Sequence, residues 1–194
     1  MTISTIARSE LILGGQKSGK SRRAELLARQ WLEQGADHRA VLIATGQAWD
    51  DEMRSRIARH QADRADRVPG MATVEEPLAL AQAIAQHSTP QTLLVVDCLT
   101  LWLTNLLMPA DGQPNVRLAR METAQTGSLL VAIENAPGPV VLVGNEIGLG
   151  VIPLGAEVRA FVDALGQLNQ RVAQVCQRVT LMAAGLPLTL KDAP

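Results

Sequence analysis

Residues 10–21 read ELILGGQKSGKS and decide the fold of this 194-residue chain. A short apolar run precedes a complete match, from Gly14 to Ser21, to the phosphate-binding pattern G-x-x-x-x-G-K-[ST]. Its glycines let the backbone curl so that N–H groups point at phosphate oxygens, and the start of the next helix adds partial positive charge. The stretch predicts a strand, a P-loop and a helix from about Lys20, and therefore a nucleotide-binding enzyme.

Beyond the P-loop, short apolar runs alternate with longer amphipathic stretches. Strands are predicted at 41–45, 73–75, 93–97, 140–143, 179–182 and 188–190, and helices at about 20–34, 50–64, 78–86, 99–108, 116–134 and 157–178. Continuous apolar strands alternating with helices imply a mostly parallel sheet covered on both faces. The short turn before the last strand implies that this strand pairs antiparallel. We predict a three-layer α/β fold formed by one domain over residues 1–194.

The composition favours a soluble protein with an aliphatic core. Hydrophobic residues make up 47% of the chain, aromatic residues 2%, and the formal net charge is −1. Such a charge gives no general attraction to nucleic acid or anionic membranes, and so few aromatic rings argue against a stacking platform for single-stranded nucleic acid. No apolar run reaches the ~18 residues that a membrane span needs. We expect a cytoplasmic protein with two free thiols, Cys98 and Cys176, no nucleic-acid partner and no membrane span.

Lys20, Ser21 and Asp97 are the residues expected to handle phosphates and Mg²⁺. In a P-loop the lysine reaches the β- and γ-phosphates, and the hydroxyl of the last residue ligates the metal. Asp97 ends an apolar strand, where an acidic residue can anchor the same ion directly or through water. On position alone, a solvated turn residue or a helix cap is an equal alternative. The P-loop favours metal binding because its ion needs a second acidic anchor.

The helix predicted from Asp50 is rich in basic residues, namely Arg54, Arg56, Arg59, His60 and Arg64. They could neutralise phosphates as a kinase lid does, but a solvated face paired with neighbouring acids is the simpler interpretation. His60 follows Met53 by seven residues and Ile57 by three, which places it near the apolar stripe of the helix. Taken alone, His60 is interpreted as a half-buried structural histidine.

Residues 144–150, GNEIGLG, follow the apolar run 140–143. Loops after parallel strands line the ligand crevice of such sheets, so this segment is predicted to be a site loop, with an ordinary flexible connection as the alternative. The guanine-reading N-K-x-D motif of regulatory GTPases is absent from the sequence. Trp102, within an apolar helix, is expected in the core.

Seven segments, in this order, resemble the bifunctional adenosylcobinamide kinase / adenosylcobinamide-phosphate guanylyltransferase family of cobalamin biosynthesis. They are 13–21 (LGGQKSGKS), 43–46 (IATG), 50–64 (DDEMRSRIARHQADR), 73–77 (TVEEP), 96–107 (VDCLTLWLTNLL), 141–153 (VLVGNEIGLGVIP) and 168–172 (LNQRV). The P-loop is generic, whereas the segments 50–64 and 141–153 are far more specific. Together the segments span nearly the whole chain.

The resemblance implies a RecA-like P-loop fold, a homo-oligomer that is expected to be a trimer, and two reactions on a corrinoid substrate. With GTP or ATP, the enzyme phosphorylates the aminopropanol hydroxyl of adenosylcobinamide. It then moves GMP from GTP onto that phosphate through a guanylylated histidine. The matching helix contains one histidine, so the resemblance assigns this role to His60.

The resemblance also implies a set of nucleotide contacts, with Lys20 and His60 catalytic and Ser21 and Asp97 holding Mg²⁺. These contacts are Gly14, Gly15, Gln16, Lys17, Ser18, Gly19, Lys20, Ser21, Ala44, Thr45, Gly46, Glu75 and Asp97.

Two other functions share parts of the pattern. A different small-molecule P-loop kinase would need the P-loop and Asp97 but no special His60. A P-loop switch or RecA-like ATPase that acts on partners lacks support, because the sequence has no basic stripe and no N-K-x-D motif. Covalent labelling by α-labelled GTP separates the guanylyltransferase from both.

Overall fold

A computed structural model describes residues 6–48, 50–108, 116–150 and 153–193, apart from the side chains of Arg56 and residues 116–121, and its strands form one seven-stranded sheet. The elements are β1 (Ser9–Gly14), α1 (Lys20–Leu32), β2 (Arg39–Ala44), α2 (Asp51–Arg67), β3 (Ala72–Glu75), α3 (Leu80–His87), β4 (Thr92–Asp97), α4 (Leu99–Leu107), α5 (Val116–Asn135), β5 (Val140–Val143), α6 (Ala156–Val175), β6 (Arg178–Ala183) and β7 (Leu186–Asp192). The strand order is β3-β2-β4-β5-β1-β6-β7. All neighbours pair in parallel except β6 and β7, which confirms the predicted sheet and its antiparallel C-terminal strand.

Both faces of the sheet are covered, because successive side chains of a strand point to opposite sides. Leu11 and Leu13 of β1 join a core cluster formed with α3, α4, α5 and α6, whereas Ile12 joins a second cluster formed with α1 and with Val68, just after α2. Trp102 is fully buried in the first cluster, as expected. Strands buried on both faces explain the continuous apolar runs in the sequence.

The C-terminal elements differ from the prediction in length. The helix predicted to reach residue 178 ends at Val175, and the last strand covers Leu186–Asp192 rather than 188–190. Arg178 begins β6 instead, because its guanidinium donates to Asp192 of β7 with an Nε···Oδ1 distance of 3.0 Å. Helical periodicity within residues 157–178 does not reveal this partner.

A buried charge cluster joins β1, α1 and β6 at the amino-terminal side of the P-loop. Glu10 is 1% exposed and accepts hydrogen bonds from Arg23 Nη2 and Thr180 Oγ1, both at 2.8 Å. Arg178 Nη1 lies 3.9 Å from its second carboxylate oxygen. The buried carboxylate is therefore compensated by two guanidinium groups and a hydroxyl, as burial of a charge requires.

The parallel strands bring several predicted site segments to one edge of the sheet. The P-loop follows β1, Asp97 ends β4, and Gly144 follows β5, which lies between those two strands. Ala44 is in register with both Glu75 and Asp97. Ligands of open parallel sheets bind outside the carboxyl ends of the strands, so this edge is the expected crevice. Among the described residues, no helix has the length and apolar character needed to cross a membrane.

Candidate active site

The P-loop takes the curled conformation that phosphate binding needs. Lys17 and Gly19 have φ values of 55° and 102°, in the left-handed region, and α1 begins directly afterwards. Lys20 is largely buried, and its Nζ donates to the carbonyl oxygen of Gly15 across 2.6 Å. The ammonium group is thus held across the mouth of its own loop, where the oxygens of a bound phosphate can take over the carbonyl's place as acceptor.

The turn between β6 and β7 supports the P-loop from one side. The backbone N–H of Gly185 donates to the carbonyl oxygen of Ser18 across 3.1 Å. A Cβ on Gly14 would stand 2.5 Å from the carbonyl oxygen of Met182 and 2.6 Å from Ser18 Oγ, so this approach requires glycine. The C-terminal hairpin is therefore part of the scaffold that shapes the phosphate site.

Ser21 and Asp97, the two predicted metal ligands, lie next to each other. Ser21 Oγ donates to Asp97 Oδ2 across 3.0 Å. A hydroxyl and a carboxylate are the hard oxygen donors that Mg²⁺ prefers, and Mg²⁺ usually takes few protein ligands besides water and substrate phosphates. Within the described part of the chain, no group of three or more His, Cys, Asp or Glu side chains could hold a metal. The residues present fit a magnesium ion bound mainly through the nucleotide.

The end of β2 is held in place by its neighbours. Thr45 is fully buried, its hydroxyl donates to the carbonyl oxygen of Cys98 at 2.7 Å, and the same hydroxyl accepts from the Cys98 N–H at 2.8 Å. Asn105 Nδ2 donates to the Thr45 carbonyl oxygen across 2.8 Å. The structure thus gives Thr45 a positioning role for the segment 44–46, and its own contact with nucleotide stays a prediction.

Burial, and secondly the charge of Asp97, raises the pKa of the Cys98 thiol to about 11.

Helix α2 confirms the predicted helical segment but places His60 differently from the prediction. Asp50 caps the helix, because its Oδ1 accepts from the Met53 N–H across 2.7 Å. The inward stripe runs through half-buried Met53 and Ile57 to buried Arg64, and His60 lies on this stripe but is exposed. The half-buried histidine interpretation was therefore wrong. β3, the strand that follows α2, is an edge strand of four residues.

His60 lies on the side of the helix that faces the end of β3. Arg64, one turn further along α2, donates to Thr73 Oγ1 of β3 across 3.2 Å. From this contact, His60 lies about 6 Å back along the helix, and Glu75 lies about 7 Å forward along the strand. Both displacements run toward the carboxyl edge of the sheet. The chain enters α2 at that edge, after the end of β2, and β3 ends at the same edge because it pairs in parallel with β2. His60 and Glu75 are both exposed there.

The arginines of α2 are mostly engaged with protein partners. Arg54 forms an ion pair with Asp51, and the Arg67 guanidinium pairs with Glu25 of α1 at 2.9 Å. These contacts match the interpretation of an internally paired face. Arg59 is exposed and has no hydrogen bond or ion pair within the described residues, while the side chain of Arg56 lies outside them. Among the arginine side chains of α2 that the structure describes, Arg59 is the one that remains available to a ligand.

The predicted site loop lies between the P-loop and the Asp97 segment. The Glu146 N–H donates to the Gly14 carbonyl oxygen at 3.2 Å, and the Asn145 N–H donates to Thr100 Oγ1 at 2.9 Å. Asn169 of α6 donates from Nδ2 to the Asn145 carbonyl oxygen at 3.1 Å. Neither Thr100 nor Asn169 was predicted from the sequence to be a site residue. The sequence feature that could have identified each of them is a polar side chain within an otherwise apolar helix face.

Comparisons with known proteins agree with this arrangement. The family model described as cobinamide kinase / cobinamide phosphate guanyltransferase matches residues 10–190. The chain is similar to the bifunctional adenosylcobalamin biosynthesis protein CobP of Pseudomonas aeruginosa, with 48% identity over 95% of this chain and 98% of the relative. The corresponding CobU proteins are 33% identical in Escherichia coli and 34% identical in Salmonella typhimurium, each over 93% of this chain and 98% of the relative.

A solved structure of a Pyrococcus horikoshii protein shares the fold. It has a TM-score of 0.53 and 12% sequence identity, and the match covers 97% of this chain and 88% of the other. At this identity the likeness concerns the fold alone.

Proposed function

Because the chain belongs to the cobinamide kinase / cobinamide phosphate guanyltransferase family, it is a bifunctional enzyme, and we propose that both reactions act on adenosylcobinamide. The first uses GTP or ATP to phosphorylate the aminopropanol hydroxyl. The second transfers GMP from GTP onto that phosphate and yields adenosylcobinamide-GDP. The observation that carries the proposal is the contact between Ser21 of the P-loop and Asp97, which supports a site for phosphates and a metal ion in a chain of this family.

In the kinase step, the protein binds and orients the triphosphate. The substrate oxygen attacks the γ-phosphorus, a new P–O bond forms, and the bond to the β-phosphate oxygen breaks, so the nucleoside diphosphate leaves. Lys20 neutralises charge on the β- and γ-phosphates, and the backbone N–H groups between Gly14 and Ser21 bind their oxygens. Ser21 and Asp97 would hold Mg²⁺, which, when bound, neutralises the charge that develops on the phosphate oxygens.

In the guanylyltransferase step, we assign the nucleophile to His60. An imidazole nitrogen attacks the α-phosphorus of GTP, a P–N bond forms, and pyrophosphate leaves. An oxygen of adenosylcobinamide phosphate then attacks the same phosphorus, and the P–N bond breaks. Covalent catalysis divides one difficult substitution into two, and a neutral imidazole is a competent nucleophile near neutral pH. The exposed position of His60, with exposed Arg59 adjacent in sequence, supports this role.

We further propose that the chain acts as one domain and assembles into a homotrimer. All described strands belong to one sheet, which supports a single domain.

Several large apolar side chains are exposed on the chain, among them Leu149 and Leu154 at 79% and 97%. Exposed apolar residues also recur at Leu186, Leu188 and Leu190 of β7. Light scattering at micromolar concentration should give three times the chain mass, and a monomer mass would contradict the assembly.

A two-step assay tests the function. The enzyme is incubated with adenosylcobinamide, Mg²⁺ and GTP that carries label on either the γ- or the α-phosphate. The proposal expects γ-label to appear in the corrinoid first and α-label, as GMP, to follow. γ-Label without any transfer of α-label would reduce the enzyme to a kinase. Absence of both labels from the corrinoid would remove adenosylcobinamide as the substrate.

A further inference from the structure

The loop after β5 lies between the P-loop and the strand end that carries Asp97. Val143, the last residue of β5, is in register with Asp97 on one side and with Ile12 on the other. Glu146 follows three residues later, so its backbone stands beyond the strand ends, on the side where phosphates bind. Its N–H donates to the Gly14 carbonyl oxygen, at the first residue of the P-loop, across 3.2 Å.

The Glu146 carboxylate is oriented by two hydrogen bonds and can still accept another. Its Oε1 accepts from the Gly148 N–H and its Oε2 accepts from Asn169 Nδ2, both across 3.4 Å. These are long hydrogen bonds, and a carboxylate has about four lone-pair sites, so capacity to accept a further proton donor remains. The side chain is half-buried, which leaves it accessible from the crevice.

Asn169 of α6 donates a hydrogen bond to the Glu146 carboxylate. Its side chain is 3% exposed, and its Nδ2 donates to both the Asn145 carbonyl oxygen and Glu146 Oε2. Its Oδ1 has no hydrogen-bond partner among the described residues, and a Cβ on Gly144 would stand 3.3 Å from it. A buried amide with an unpaired oxygen is costly, so a positioning role at a ligand site gives a physical reason for its presence.

Three other carboxylates at this edge differ from Glu146 in their contacts or their position. Asp97 accepts from Ser21 and is the proposed metal ligand. Glu76 Oε1 accepts from the backbone N–H groups of Leu78 and Ala79, at the start of α3. Glu75 lies at the end of β3, four strands from β1 in the sheet order. Among the described residues, Glu146, on the loop after the strand next to β1, is the acidic residue whose backbone N–H donates to the P-loop.

We infer that Glu146 accepts the proton of the substrate hydroxyl in the kinase step, and that Asn169 is its positioning residue. As the hydroxyl oxygen forms its bond to the γ-phosphorus, its proton passes to a Glu146 carboxylate oxygen. The electron pair of the broken P–O bond stays on the leaving nucleoside diphosphate. An acidic residue that accepts the substrate proton is a recurring part of phosphoryl-transfer sites. This inference rests on the proposed kinase activity.

The test is the steady-state kinetics of adenosylcobinamide phosphorylation in three variants. Glu146→Gln keeps the shape and the hydrogen-bond acceptor but cannot accept a proton at neutral pH. We expect kcat to fall by about 10²-fold with the KM of the nucleotide within about twofold. Glu146→Asp, which keeps a carboxylate, should recover part of the loss. Glu134→Gln removes an exposed carboxylate from the end of α5, at the opposite edge of the sheet, and serves as the matched control, with wild-type kinetics.

Asn169→Ala gives a second measurement that separates positioning from general structural support. We expect about a tenfold lower kcat, and no further loss when it is added to Glu146→Gln, because Asn169 acts through that carboxylate. A Glu146→Gln enzyme with kcat within threefold of wild type, or one changed only in the KM of the nucleotide, would overturn the inference. Additive losses in the double variant would remove Asn169 from it. If wild-type enzyme itself fails to phosphorylate adenosylcobinamide, the proposed function fails instead.

Discussion

Ser21 Oγ donates a 3.0 Å hydrogen bond to Asp97 Oδ2, which joins the last residue of the P-loop to the last residue of β4. Asp97 ends β4, whereas Ser21 lies in the first turn of α1, directly after the P-loop that follows β1. Strand β5 lies between β1 and β4, so the contact joins segments that follow or end strands that are not neighbours in the sheet. Both side chains supply oxygen, and we propose that the pair forms one anchor for a hard cation.

Loss of the Asp97 charge should weaken the metal site. We expect Asp97→Asn to raise the Mg²⁺ concentration for half-maximal activity by more than the roughly tenfold that loss of an outer-shell partner gives. Asp163→Asn, at an exposed position on α6, is the charge-matched control. A titration of kinase activity with Mg²⁺ measures this, and an unchanged midpoint in Asp97→Asn would make Asp97 a structural residue.

Lys20 should matter for catalysis more than for folding. Lys20→Ala removes the ammonium group that neutralises the β- and γ-phosphates, so we expect the kinase rate to fall by about 10²-fold or more. Thermal unfolding should show a folded protein. Arg29→Ala removes an exposed cation from the last turn of α1, away from the P-loop, and should change the rate by less than about threefold. Comparable losses in both variants would contradict a specific role for Lys20.

The β6–β7 turn should influence nucleotide binding through the P-loop. Gly185 and Gly70 have φ values of 79° and 86°, and a Cβ at either position meets open space. Alanine at each position should therefore cost a similar backbone strain of about 1 kcal/mol. Only Gly185 donates to the Ser18 carbonyl oxygen. We expect Gly185→Ala alone to raise the KM of the nucleotide, and equal KM values in the two variants would exclude this coupling.

The buried Glu10 cluster should dominate the electrostatic contribution to stability. Glu10→Gln leaves Arg23 and Arg178 without their shared buried anion, so we expect unfolding free energy to fall by about 3 kcal/mol. Glu33→Gln breaks the exposed pair with Arg29 and should cost under about 1 kcal/mol. Urea unfolding of both variants measures the difference. Equal values would show that burial of Glu10 adds nothing.

The sequence predicted those features whose cause is local. The P-loop, the apolar strands and the helix predicted over about 50–64 each depend on neighbouring residues, and the structure has all of them. The end of α6 could not be predicted. Arg178 belongs to β6, where it contacts Asp192 and Glu10, and both of these residues lie outside the predicted helix.

The candidate site shows the same division. The glycine pattern indicated the phosphate-binding residues, but the use of the Thr45 hydroxyl by Cys98 depends on a contact between two strand ends. His60 falls on the inward stripe of α2, as its spacing predicts. Its exposure depends on the tertiary packing of α2, which helical periodicity does not encode.

The covalent intermediate offers the most direct test of the proposed mechanism. The wild-type enzyme, incubated with α-labelled GTP and no corrinoid, should take up close to one GMP per chain as a phosphoramidate that is labile in acid and stable in base. His60→Ala should abolish this adduct, whereas His87→Ala, which removes a half-buried histidine at the end of α3, should form it normally. Stoichiometric GMP label that persists in folded His60→Ala protein would contradict the assignment of His60 as the nucleophile.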